Sequence, residues 1–289
     1  MPNAHEGGLK LSRRKLLKFG SLAVGGALFG EALAEPNRIE TIRLTVPIHD
    51  LPTAFEGFRI GLLSDVHWGH NMDADFVGRA YGLLKPFKPD LIAIPGDIYH
   101  GQGQTPASAP KLAGAFDMLQ APFGVVGTLG NHDHRIGRRF VEDQIARYSA
   151  IRLLDNRSMV IEKGGQAIAV GGVGDLIEDV VLLDQAFEGL PPDIPRILLS
   201  HNPETAEHID HDMGTRVDLQ LSGHTHGGQI VIPGIVDPYS WFSHYGSKFN
   251  RGFVEGKRHR VFVSKGLARL NHMRLFAPPD VVCITLLRA

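Results

Sequence analysis

The chain has 289 residues, enough for one large or two small domains, and its 43% apolar and 21% charged residues exclude disorder and collagen-like repeats. A net charge of −1 gives no basic field, so no nucleic-acid partner is expected, and a single cysteine excludes an internal disulfide framework and any cysteine-rich zinc site. Glycine and proline together number 52 and histidine 15, so the chain is rich in loops and in the commonest neutral metal ligand.

Residues 1–34 read as an address. Ser12-Arg13-Arg14-Lys15-Leu16-Leu17-Lys18 precedes a glycine-interrupted apolar run over 19–33, and the run closes on Ala32-Leu33-Ala34. A cationic start, a short apolar stretch and a small–x–small site make a secretory signal rather than a membrane span. The adjacent arginines look like the twin-arginine class. This predicts the twin-arginine export machinery as a partner and cleavage after residue 34. It places the remaining domain, 35–289, in a bacterial periplasm or at the outer face of the cytoplasmic membrane. Glu31 and the shortness of the run argue against a permanent transmembrane helix. Removing 1–34 leaves 25 basic and 29 acidic residues, a net charge of −4. Anionic headgroups do not attract such a surface; membrane-surface contact is kept as an open partner expectation.

Beyond the leader, strand-like and helix-like runs alternate. Strands are predicted at 57–64, 90–95 and 123–128, and helices at 73–87, 107–119 and 136–149. Later strands are predicted at 167–172, 196–200, 217–221, 229–232, 259–263 and 281–287. The first half is βαβ-like, which implies parallel strands with helices on their faces. The second half has closely spaced strands and predicts a second, mixed sheet. No repeat or long linker divides the domain.

The chemistry sits at strand ends. Gly61-Leu62-Leu63-Ser64 runs into Asp65-Val66-His67, and Leu91-Ile92-Ala93-Ile94-Pro95 into Gly96-Asp97. Val125 to Leu129 runs into Gly130-Asn131-His132-Asp133, and Ile197-Leu198-Leu199-Ser200 into His201-Asn202-Pro203. Val217 to Ser222 runs into Gly223-His224-Thr225-His226-Gly227-Gly228. Carboxyl ends of strands in open α/β sheets converge on one crevice. Asp, His and Asn donors suit Mn, Fe, Zn or Co. They outnumber the needs of one tetrahedral zinc, so the inventory fits two divalent ions acting as a clamp at phosphorus.

The ordered set Asp-x-His, Gly-Asp, Gly-Asn-His-Asp, a lone strand-end His and Gly-His-x-His resembles the calcineurin-like metallophosphoesterases. Its Ser-His-Asn-Pro and Ser-Gly-His-Thr-His-Gly-Gly-Gln wording, with the leader, is similar to their branch of exported bacterial phosphodiesterases. The resemblance spans 65–226 and implies a four-layer α/β/β/α sandwich of two mixed sheets with a di-metal site at the strand C-terminal ends. It implies Asp65, His67 and His226 on one ion, Asn131, His201 and His224 on the other, and Asp97 bridging. It implies that His132 lies beside the phosphate and protonates the leaving oxygen or stabilises the transition state. The expected reaction is in-line attack on a phosphodiester by a hydroxide shared between the ions. The residues after Gly96-Asp97, Ile98-Tyr99-His100, lack the further acid and arginine of the serine/threonine protein phosphatases. That lack weakens an assignment to them.

Other residues carry weaker expectations. Asp133 is read as orienting His132 or as capping a helix. His70, His100 and His134 lie near motif blocks and are weighed as substrate contacts. Trp241, among the aromatics of 238–245, and Arg274 are named as substrate-binding residues, the first as an apolar rim and the second as a phosphate ligand. The substrate is expected to be a small-molecule or lipid-linked phosphoester. The alternatives are a phosphomonoesterase, a non-catalytic metal-dependent module that binds a phosphorylated envelope component, and a β-lactamase-like hydrolase. For the last, Ile136-Gly137 stand where its Asp-His would follow.

Overall fold

Alternation along the strands decides the layers, because successive side chains of a strand point to opposite faces. In β3 (Leu91–Pro95), Leu91 and Ala93 join one buried apolar cluster, and Ile92 and Ile94 join another. A computed structural model describes residues 25–208, 214–232, 234–235, 237–269 and 272–289; the paired arginines of the leader lie outside them.

Two six-stranded sheets result. The first contains β1 (Glu40–Ile48), β2 (Arg59–Leu62), β3, β4 (Val125–Thr128), β5 (Ile151–Leu153) and β12 (Asp280–Arg288). Its spatial order is β1-β12-β2-β3-β4-β5. Strands β2 to β5 run parallel, and β12 runs antiparallel to β2. The second contains β6 (Arg157–Lys163), β7 (Gln166–Gly172), β8 (Arg196–Leu199), β9 (Leu219–Ser222), β10 (Gly252–Glu255) and β11 (Arg260–Val263), in the order β10-β11-β9-β8-β7-β6. There β7, β8, β9 and β11 are parallel, while both edge strands are antiparallel. Both sheets are mixed, as expected.

The sheets pack face to face over Ile60, Leu62, Val126, Ile197, Leu199 and Leu221. Each such fully buried side chain contributes about 1.5–3 kcal/mol. Helices α1 (Ala74–Leu84) and α2 (Asn131–Tyr148) cover the outer face of the first sheet through Phe76, Val77, Ala80, Leu84, Val141 and Ile145. Asp73 starts α1 by accepting from the Phe76 N–H at 2.7 Å. Short helical turns at Leu183–Ala186 and Thr205–His208 cover the outer face of the second sheet.

Some expected elements differ. Residues 107–119 form consecutive turns, not a helix. Leu112, Ala115, Phe116 and Leu119 are buried at helical spacing. Pro110 lacks a donor and Gly114 adopts φ +78°, so the backbone cannot continue a helix between them. The expected strand at 229–232 reduces to a single bridge between Ile230 and Leu275. The strands β1, β5, β6 and β10 were not predicted. β1, β6 and β10 expose much of one face and β5 is only three residues long, so all four carry weak apolar runs.

The segment 25–34, expected to end a leader, is helical and buries Ala32, and Glu35 just beyond it is buried too. The Glu35 carboxylate accepts from the N–H groups of Phe276 at 2.8 Å and Ala277 at 2.7 Å. Among the described residues, no helix is long and apolar enough to cross a membrane.

Candidate metal centre

The parallel strands β2, β3 and β4 of one sheet and β8 and β9 of the other end at one crevice. Each delivers donors in its first turn. The turns are sharp: Asp65, His67, Asp97, His224 and His226 all have positive φ, between 50° and 73°. Asp and His tolerate this region better than most residues, yet each such residue costs of order 1 kcal/mol. Backbone strain of this kind collects at functional sites. The approach is also close: a Cβ on Gly223 would fall 2.0 Å from the Asp65 carboxylate, so β9 can reach this carboxylate only with glycine there.

The structure brings the seven expected donors together. The Asp97 Oδ2 lies 3.2 Å from the Nε2 of both His67 and His201. The Asn131 Oδ1 lies 3.2 Å from His201 Nε2 and 3.1 Å from His224 Nδ1. The Asp65 Oδ1 lies 3.9 Å from His226 Nε2. Asp65, His67, Asp97 and His201 are fully or almost fully buried. Among the described residues three groups have ligand atoms close enough for one ion: Asp65 with His67 and His226, Asp65 with Asp97 and His201, and His67 with His100 and His132.

The donor set fits divalent cations. His67 Nε2 and His226 Nδ1 are buried without a hydrogen-bond partner, although His67 Nε2 stands 3.2 Å from Asp97 Oδ2. Carboxylate oxygens and imidazole nitrogens thus converge on one buried point. Burial pushes Asp65 up; His201 opposes this and the Asp97 charge adds to it. Burial also pushes Asp97 up, but His201 and His67 outweigh it and hold this carboxylate well below the usual range. A cation satisfies both carboxylates and the orphaned nitrogens at once.

Neighbouring groups fix the tautomers. His201 Nδ1 donates to the Pro95 carbonyl at 2.9 Å, which leaves Nε2 as the ligand atom. His67 Nδ1 lies 3.1 Å from His100 Nδ1. With His67 Nε2 as a ligand atom, His67 Nδ1 carries the proton and donates to His100. Burial, then His67, holds His100 down to about 3, so it remains a neutral acceptor. Gly101 N–H donates to His132 Nδ1 at 3.2 Å, leaving the proton of neutral His132 on Nε2. The His132 ring stands 4.6 Å from that of His67 and 5.0 Å from that of His100. His224 and His226 are held below their usual value by burial first, the former to about 3, and so stay neutral donors of a lone pair.

Several expectations resolve differently. Asp133 takes the capping role of its two readings: it accepts from the N–H groups of Ile98, Tyr99 and Gly130 and secures the start of α2. His100 ties a ligand to the histidine beside the site, and His70 stacks on it at 4.0 Å. His134 faces Asp179 instead. Arg274, expected to hold phosphate, is buried. Its guanidinium donates to the carbonyls of Ala268, Ala277, Lys265 and Gly266 at 2.8–3.2 Å. With its donors spent on backbone, Arg274 is a structural clamp. Trp241 stands exposed on the turn Tyr239–Phe242 and touches none of the seven donors among the described contacts.

A cavity of about 260 Å³ adjoins the donors at His224, bounded by Leu176, Ile177, Asn202, Tyr239 and Tyr245. Sequence reasoning missed Leu176 and Ile177, because an apolar pair in a loop carries no motif.

A family model described as calcineurin-like phosphoesterase matches residues 58–228. The chain is 30% identical to the uncharacterized metallophosphoesterase YkuE of Bacillus subtilis, over 96% of this chain and 98% of that one. It is 27% identical to the phosphodiesterase YaeI of Escherichia coli, over 96% and 99%. It is 26% identical to the UDP-2,3-diacylglucosamine pyrophosphatase LpxG of Chlamydia trachomatis, over 86% and 89%.

Proposed function

The chain belongs to the calcineurin-like phosphoesterase family, and on that premise we propose that it is a two-metal phosphodiesterase acting outside the cytoplasm. The carrying observation is the convergence of seven Asp, His and Asn donors on one crevice, with a His132 whose proton points away from its backbone partner. Asp65, His67, His226 and Asp97 would hold one ion; Asn131, His201, His224 and Asp97 would hold the other. Two ions of the Mn, Fe, Zn or Co group supply Lewis acidity toward phosphoryl oxygens and lower the pKa of a water nucleophile.

The chain's own residues do the remainder. Pro95 and His100 orient the imidazoles of His201 and His67. His132 presents Nε2–H to a phosphoryl or leaving oxygen. Burial, with His67 and against Asp97, holds this histidine down to about 4, so near neutral pH it acts as a neutral hydrogen-bond donor. In the net reaction the bond from phosphorus to the leaving oxygen breaks, water supplies the new oxygen, and its proton ends on the leaving group. Two relatives, YaeI and LpxG, carry diesterase and pyrophosphatase names, which favours a phosphorus with two substituents over a monoester. The Arg13-Arg14 leader supports passage through the twin-arginine export machinery to the periplasm or the outer membrane face.

The test loads the purified full chain with one metal at a time. Bis-p-nitrophenyl phosphate hydrolysis, abolished by chelator and restored by metal, is expected, with slower turnover of p-nitrophenyl phosphate. Failure on both substrates, with chelator changing nothing, removes the proposal.

A further inference from the structure

We propose that the natural substrate carries an aliphatic chain next to the scissile phosphate, and that the cavity between the loop 173–182 and the turn at 239–245 takes its first carbons. The inference rests on the phosphoesterase reading and narrows its substrate class. His224 is the link, because it stands among the metal donors through Asn131 and also lines the cavity. A substituent that extends from phosphorus in that direction enters this space directly.

The lining decides what the space accepts. Leu176, Ile177, Tyr239 and Tyr245 supply its apolar wall, and Asn202, Glu204, His208, Ser243 and His244 line it beside His224. No Lys or Arg lines it among the described residues, so no fixed positive charge there pairs with a second phosphate or a carboxylate. Its acid, Glu204, is already engaged by the Tyr239 hydroxyl. At about 260 Å³ it is smaller than a typical whole-ligand pocket of about 300–1,000 Å³, so it takes only part of a substrate. Of the apolar lining, Ile177 is 55% exposed and so stands at the mouth of the cavity.

The walls are held in place rather than loosely folded. Leu176 N–H donates to Asn202 Oδ1 at 2.8 Å, and Asn202 directly follows the donor His201. Asp175 Oδ1 accepts from the N–H groups of Ile177 at 2.9 Å and Glu178 at 2.8 Å. On the opposite side, the Tyr245 ring packs edge-on against buried Phe249 at 5.6 Å. The apolar wall is therefore fixed relative to the donors.

The experiment uses metal-loaded full chain and a series of alkyl p-nitrophenyl phosphodiesters from methyl to octyl, with uridyl p-nitrophenyl phosphate as a comparison. The leaving group is constant, so only the retained substituent varies. Expected is a rise in kcat/KM of about threefold to fourfold for each buried methylene over the first carbons. Expected too is an octyl-to-methyl ratio that collapses toward one in Ile177→Asn and in Leu176→Asn. A flat series, or a preference for the uridyl ester over the octyl ester, overturns the proposal while leaving the phosphodiesterase reading intact. No turnover of any ester removes both.

Discussion

The main-chain N–H of Gly101 donates to Nδ1 of His132 at 3.2 Å. The contact requires glycine: a Cβ at position 101 would fall 2.2 Å from the His132 carbonyl. It leaves the His132 proton on Nε2, facing away from the backbone. Replacing His132 with Ala should lower kcat by about 10²–10³, the loss expected for one transition-state donor. Metal content, measured by elemental analysis, should be unchanged because His132 is outside the donor set. The pH–rate profile adds a sign. Since the group is held down to about 4, an imidazolium requirement would make the rate fall about tenfold per pH unit above 4. A neutral donor predicts no such fall up to pH 8.

His100 acts at one remove. It accepts from His67 at 3.1 Å and stacks beside His132. His100→Ala should weaken metal affinity by about 10–100-fold, the usual cost of losing an outer partner of a ligating imidazole. The check is titration with a chelator of known affinity. Unchanged affinity with lowered activity would mean that His100 serves His132 alone.

The strands that carry donors were legible because they are buried on both faces. Leu91 to Pro95 and Ile197 to Leu199 read as continuous apolar runs that end at the ligands. Helix α1 was legible for its apolar spacing. The turns at 107–119 were not, since burial of Leu112, Phe116 and Leu119 imitates a helical period whatever the backbone does. Arg274 was misread for a related reason: sequence shows a cation in a loop, while only the fold shows carbonyls surrounding it. His100 carried a motif position but no spacing that reveals a partner 33 residues away.

Asp97 is the donor shared between the two ions in the proposed assignment. Asp97→Asn removes the charge while keeping the shape. Metal stoichiometry should fall below one per chain and diester hydrolysis should drop with it, since a bridging position needs charge for two cations. Full occupancy in this variant, read by elemental analysis after gel filtration, would disprove the bridging role.

Arg274 predicts a stability effect. Burial holds its guanidinium down to about 10, and five backbone carbonyls, that of His226 among them, still surround it. Arg274→Ala leaves those acceptors without donors and should cost about 3–5 kcal/mol. Calorimetry on chelator-treated protein should show the loss as a fall in Tm of roughly 10 °C, at about 2–4 °C per kcal/mol for a domain of this size. A Tm within 2 °C of the parent, accompanied by a raised KM, would return Arg274 to the substrate.

His259 supplies a pH dependence away from the metal donors. It is buried, shares a hydrogen bond with Gln220 Oε1 at 2.9 Å, and is held down to about 4 by burial. An unfolded histidine takes its proton near 6.5. Between these values the unfolded chain holds a proton that the folded chain refuses. The contribution to stability is therefore complete above pH 6.5 and is lost as pH falls toward 4. The slope is about 1.4 kcal/mol per pH unit, and the total is about 3 kcal/mol. His259→Gln keeps a hydrogen-bonding group and removes the titration. Urea unfolding of chelator-treated protein at pH 7 and pH 4.5 should show a smaller loss for the variant than for the parent. Equal losses would mean that solvent reaches the ring in the folded state.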